Sequence, residues 1–142
     1  AKAVMCKQFS DAHTSTFAQA TAAAYLAAGG LPTALDKVRA VYASRAQAMC
    51  DALTKELGDT IEFVRPAGGL FVWATLTGAN GAIADGNAFA KRAIAHNVAF
   101  VPGAPFFAQN PDLRTLRLSF ATADIDKIEQ GVRQLGHAMR EA

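Results

Sequence analysis

Apolar positions recur at two different periods along the chain, and the change of period marks where helices give way to strands. From residue 8 to 28 the sequence is Ala-rich, with Phe17, Ala20, Ala24 and Ala27 at near-helical spacing. Gly29-Gly30 followed by Pro32 reads as a stop, and Ser10 or Asp11 as the start cap. A second helix is expected from Thr33 to Leu57. Leu35, Val38, Tyr42, Ala46, Met49, Leu53 and Leu57 recur there at intervals of three and four, and Gly58-Asp59 ends it. Ile61–Val64 and Leu70–Leu76 then read as strands joined by a turn at Pro66-Ala67-Gly68-Gly69. Thr77 to Gly86 is a loop, and Asp85 or Asn87 caps a third helix reaching His96, with Phe89 and Ile94 among its apolar positions. Val98–Val101 and Leu113–Phe120 are further strands. A last helix opens near Asp124, with Ile125, Ile128, Val132, Leu135 and Met139 on one stripe.

The predicted order is two helices, two strands, a helix, two strands and a helix. Strands interleaved with helices imply an α/β (α+β) two-layer fold: a small mixed sheet covered by helices on one face, preceded by a long N-terminal helix. No internal repeat or long linker divides residues 1–142, so one domain is expected. The weakly amphipathic first helix reads as made to lie against something outside this chain.

Composition narrows the function classes. Of 142 residues, 51% are hydrophobic and 18% charged, enough for one core and too little charge for a disordered tail. The net charge is +2 and the 14 Lys and Arg are scattered, so nucleic-acid binding is unsupported. Cys6 and Cys50 are expected to be buried free thiols. No CxxC, HExxH or His/Cys cluster indicates a metal, and no apolar run reaches the roughly 20 residues of a membrane span. Without a signal-like opening the expected location is the cytoplasm. The absence of an initiator Met leads to the expectation of a piece of a longer protein.

Candidate chemistry resides in four places. In Leu116-Arg117-Leu118-Ser119-Phe120, alternation sends the apolar residues to one face, and Arg117 and Ser119 to the other. A guanidinium in the middle of an apolar strand must find an anion or solvent, and a carboxylate matches its planar fork. An ordinary surface arginine or an internal ion pair satisfies the same pattern. Gly68-Gly69 before an apolar strand lets the backbone approach a neighbour or a ligand, or forms a plain turn. Val101-Pro102-Gly103-Ala104-Pro105 fixes a rigid path that presents Phe106 and Phe107, either as a pocket wall or as a core plug. The hydroxyls of His13-Thr14-Ser15-Thr16 suit an anion at a helix start, or simply a helix cap. His96 and His137 read as solvated, and no Ser/His/Asp or Cys/His set stands out, so no catalytic residue is expected within this chain.

Together these segments resemble the C-terminal small domain of class I/II, fold-type I aminotransferases, in the branch of 2-aminoadipate and kynurenine aminotransferase-like enzymes. The resemblance is carried by Arg65-Pro66-Ala67-Gly68-Gly69-Leu70-Phe71-Val72-Trp73, by Val98-Ala99-Phe100-Val101-Pro102-Gly103 with Phe106-Phe107, and by Leu116-Arg117-Leu118-Ser119-Phe120. Lys7-Gln8 through His13-Thr14 and Gln19 resembles the helix following the cofactor-lysine segment in that branch. The resemblance implies pyridoxal 5'-phosphate as cofactor, amino acid and 2-oxo acid substrates, and a homodimer. It implies that Arg117 holds the substrate carboxylate, with Phe106 and Gly69 at the substrate pocket. Thr14 and Ser15 would then lie near the cofactor phosphate. It implies an inter-domain helix over residues 1–30 and the small domain over 31–142. The family's cofactor-bearing lysine lies in a Ser-x-x-Lys-type segment with no counterpart here, so this piece is expected to be inactive alone. Two other classes stay open: the effector domain of a MocR-type transcription regulator, and a non-catalytic α/β ligand-binding module.

Overall fold

The computed structural model describes residues 1–141. The chain divides into two compact units, Ala1–Arg39 and Ala40–Ala142.

The first unit contains α1 (Lys2–Asp11), α2 (Thr16–Ala27) and the opening of α3 (Leu31–Leu57). One continuous helix was expected over residues 8–28, but Ala12 takes φ 58° and separates α1 from α2. Local polar groups favour the break. The Asp11 carboxylate accepts from Lys7 Nζ at 2.8 Å, and the Ser15 hydroxyl caps α2 by accepting from the Ala18 N–H at 3.5 Å. Ser15 therefore caps the helix in place of Ser10 or Asp11; Ser10 Oγ instead donates back to the Cys6 carbonyl at 2.9 Å. The expected stop holds: α2 ends at Ala27 and Gly29 takes φ 72°, while Pro32 already lies in the first turn of α3, where its missing N–H costs nothing. No residue of α1 or α2 is buried; Phe9 and Phe17 are 87% and 82% exposed.

The second unit is a sheet backed by helices. Its strands are β1 (Ile61–Phe63), β2 (Phe71–Leu76), β3 (Val101–Pro102) and β4 (Thr115–Ser119), with α4 (Gly86–Ala95) and α5 (Ile125–Arg140) alongside the rest of α3. The strand order is β1-β2-β4-β3. All three pairings are antiparallel, where a mixed sheet was expected; the two-layer α/β class stands. Val98 and Phe100 pack against the core instead of pairing. The chain leaves α4 through Asn97 at φ 61°, and only Val101 and Pro102 reach the register of β4.

Alternation sorts the sheet. Val72, Ala74 and Leu76 of β2 and Leu116 and Leu118 of β4 are buried in one cluster with Leu53 and Leu57 of α3, Phe89 of α4, and Val132 and Leu135 of α5. Asp85 caps α4, accepting from the N–H groups of Asn87 and Ala88 at 2.8 and 2.9 Å. Asp124 caps α5, accepting from the Lys127 N–H at 2.9 Å. Cys50 is buried in the core as a free thiol, and burial pushes its pKa up. Cys6 is free but exposed, contrary to the expectation that both are buried.

Candidate functional site: an unpartnered arginine among rings

The sheet face away from the helices carries Phe71 and Trp73 from β2, and Arg117 and Ser119 from β4. β4 is paired on both sides, and Arg117 lies opposite Trp73 on one neighbour and Val101 on the other. Phe71 lies opposite Ser119, which makes it the diagonal neighbour of Arg117. The guanidinium carbon lies over two rings, 4.2 Å from the centroid of Phe71 and 4.5 Å from that of Phe106. Trp73 meets Phe106 edge-on at 5.8 Å and Phe107 at 6.1 Å.

The chain places Phe106 by a short-range device. After β3, Gly103 donates its N–H to the Thr115 carbonyl at 2.7 Å, and a single 3-10 turn, Ala104–Phe106, follows. A Cβ at Gly103 would lie 2.6 Å from Thr115 Cβ, so only glycine allows this approach. Thr115 is buried and donates its hydroxyl to the Asp112 carbonyl at 2.7 Å. Thr115 and Arg117 are two residues apart on β4, so the residue that pins the turn and the residue that receives its ring share one face.

Five other arginines of the chain donate to protein acceptors. Arg65 donates to Asp51 at 2.6 Å, and Arg114 donates to Asp112 from Nε and Nη2 at 3.0 and 2.8 Å. Arg45, Arg92 and Arg140 reach the carbonyls of Ala121, Ala138 and Glu56. The hydrogen bond from Arg65 holds the Asp51 carboxyl below the usual carboxylate range, and the one from Arg114 does the same to Asp112. Arg117 differs. Its Nε is buried without a hydrogen-bond partner, the one such side-chain atom among the described residues. A dehydrated, unpaired N–H of a permanent cation is costly to maintain, and an incoming anion would satisfy it.

Gly69 sits in the turn before β2 at φ +81°, with nothing within 4 Å of where a Cβ would be. The conformation, rather than a close approach, calls for glycine there. Thr14 and Ser15 lie in the first unit. The Thr14 hydroxyl accepts from Lys7 Nζ at 3.3 Å, and its carbonyl accepts from Gln19 Nε2 at 2.8 Å. His96 is half-buried rather than solvated, with Nε2 2.9 Å from Glu141 Oε2. Sequence reasoning named Phe106 and Phe107 as a possible pocket wall but did not bring Phe71 and Trp73 to Arg117. Their spacing put Phe71 and Trp73 on one face, but only strand pairing brings that face to Arg117. Among the described residues, no group of three or more His, Cys, Asp or Glu is placed to hold a metal. No helix there is long and apolar enough to cross a membrane.

Fold and site together define a two-layer α/β unit whose open sheet face carries a ring-flanked arginine with an unpartnered Nε. Residues 3–135 match the family model for aminotransferase class I and II. The chain is 44% identical over 139 residues to 2-aminoadipate transaminase of Thermus thermophilus, covering 98% of this chain and 34% of that protein. It is 35% identical over 140 residues to aromatic-amino-acid aminotransferase 1 of Thermococcus litoralis, covering 99% and 33%. Among solved structures, the alpha-aminoadipate aminotransferase of Thermus thermophilus superposes with a TM-score of 0.81 at 41% identity, covering 96% of this chain and 34% of that one; it is complexed with N-(5'-phosphopyridoxyl)-L-leucine. Pyrococcus horikoshii kynurenine aminotransferase gives 0.84 at 34% identity, covering 96% and 33%. The chain belongs to the class I and II aminotransferase family, and it spans about a third of the length of the relatives it matches.

Proposed function

We propose that the protein containing this chain is a pyridoxal-phosphate-dependent aminotransferase acting between an amino acid and a 2-oxo acid, and that Arg117 holds the carboxylate both substrates share. The observation that carries this reading is the buried, unpartnered Nε of Arg117 beside two ring faces. The residues present suit the family's cofactor chemistry on the substrate side. A planar fork with an unsatisfied donor matches the carboxylate of an amino acid such as the leucine of the phosphopyridoxyl adduct bound by the Thermus relative. Pyridoxal phosphate, when bound, supplies the electron sink that makes the Cα–H bond labile.

The residues of this chain would position and shield. Arg117 fixes the carboxylate, and with it the direction of the Cα–H bond. Phe106 and the turn at Gly69 would border the substrate, and the rings would keep water from the charge pair. Thr14 and Ser15 would serve the cofactor phosphate. Residues 1–30 would link this small domain, residues 31–142, to the rest of a cytoplasmic homodimeric enzyme.

The test is an absorption spectrum of the full-length protein, before and after amino acids are added. A visible cofactor band that bleaches with an amino acid and returns with a 2-oxo acid is the expected result. A band that answers no amino acid would overturn turnover in favour of sensing, and no band at all would remove the cofactor.

A further inference from the structure

We propose that Phe71 is a positioning residue for the carboxylate clamp: its ring sets the orientation of the Arg117 guanidinium and keeps water from its Nε before any ligand arrives. This rests on Arg117 being the clamp. Three observations lead to it. The guanidinium carbon is nearer to Phe71 than to Phe106, at 4.2 against 4.5 Å. Nε is buried yet no protein oxygen accepts from it, so the side chain is held without a hydrogen bond from that atom. The hold must come from backbone placement and from the rings.

The two rings differ in how they are mounted. Phe106 comes from a short turn, and Trp73 packs against both it and Phe107. Phe71 comes from β2, inside the ladder that pairs with β4 from Phe71–Ser119 to Thr75–Thr115. The same ladder sets the backbone positions of Phe71 and Arg117, so the ring is offered at a fixed register as the reference surface for the guanidinium plane. Phe71 is itself 39% exposed, so its ring adds little to the core. A cation over an aromatic face gains attraction that grows as water is excluded. An arginine already oriented gives up less freedom on binding, which strengthens capture of a carboxylate without adding a contact to it.

The experiment compares full-length wild type with Phe71→Leu, Phe71→Tyr and Arg117→Ala. Calorimetry would measure binding of 3-phenylpropionate, a carboxylate without an amine, and steady-state kinetics would give KM and kcat. Phe71→Leu keeps an apolar side chain of reduced size and loses the π face. It is expected to weaken 3-phenylpropionate about 3- to 10-fold, the scale of a partly desolvated cation–π contact. KM for the amino acid should rise similarly, with kcat changing less. Phe71→Tyr keeps the face and should bind within about 2-fold of wild type. Phe71→Leu binding like wild type while Arg117→Ala does not would overturn the inference and leave the clamp standing. Tyr as weak as Leu would overturn it too, by showing that shape alone matters. Normal binding in Arg117→Ala would sink the clamp, and the inference with it.

Discussion

Gly103 and Thr115 meet so closely that a methyl group on the glycine would lie 2.6 Å from Thr115 Cβ and 2.9 Å from the Thr115 carbonyl carbon. Two partners of that contact are backbone or branch atoms on a paired strand, so the threonine cannot simply swing aside. Gly103→Ala is expected to destabilise the domain by about 1–3 kcal/mol, the usual cost of overpacking. It should also displace the turn carrying Phe106. Urea melts would give the first figure, and a crystal structure of the variant the second. A variant of wild-type stability would show that the turn moves freely.

Removing the guanidinium should separate activity from stability. In the full-length protein, if it turns over as proposed, Arg117→Ala is expected to lower kcat/KM by at least about 2–3 kcal/mol, or roughly 30- to 150-fold, the scale of a lost charge-assisted contact. Stability should change by less than about 1 kcal/mol, because the buried Nε has no hydrogen bond to lose, and the ring contacts that disappear are offset by removing a buried, unpaired N–H. Arg117→Lys should not restore the rate, since an ammonium lacks the planar fork. Rate assays beside thermal melts decide this. Near-normal kinetics would remove Arg117 from the substrate.

How far the sequence reveals this site depends on the range of the contact involved. The stripes on α3 and α5, the caps Asp85 and Asp124, and the alternation that turns Arg117 away from Leu116 and Leu118 are local, and they are visible in the residue order. The break at Ala12 is also local but carries no glycine or proline to announce it; Lys7 donating to Asp11 and Ser15 accepting from Ala18 flank it. The stop after α2 is visible at Gly29, but the start of α3 lies two residues earlier than expected, because Pro32 is accepted inside a first turn. Phe71 over Arg117 and Gly103 against Thr115 depend on which strands pair and in what register. That information lies between segments rather than within them.

The cap of α4 offers a test of local stability. Asp85 Oδ1 accepts from both the Asn87 and the Ala88 N–H, and the Gly86 N–H donates to the Leu113 carbonyl at 2.7 Å, so this end also ties the helix to the segment before β4. Asp85→Ala is expected to cost about 0.5–2 kcal/mol, with Asp85→Asn near neutral. Chemical denaturation would measure both. Equal loss in the two variants would point to charge rather than capping.

Acid should weaken the fold through three carboxylates held below their usual range. Hydrogen bonds from Arg65 do this to Asp51, from Arg114 to Asp112, and from the Lys127 backbone N–H to Asp124. A carboxylate with a depressed folded pKa contributes stability that is complete above its unfolded pKa, about 3.9, and is lost as pH falls through the folded value. The melting temperature should therefore hold between about pH 5 and 7, then fall below about pH 4. Asp112→Asn should flatten part of that fall. An unchanged acid slope in this variant would mean that the pair with Arg114 has no share in it.

The alternation of β2 and β4 has an evolutionary consequence. Val72, Ala74, Leu116 and Leu118 answer to the core, while Phe71, Trp73 and Arg117, interleaved with them residue by residue, answer to whatever lands on the opposite face. Selection can therefore rewrite one column of the sheet without disturbing the other. A lineage can exchange the rings of the open face while inheriting its scaffold unchanged, so this surface can change by single substitutions rather than by rebuilding the domain.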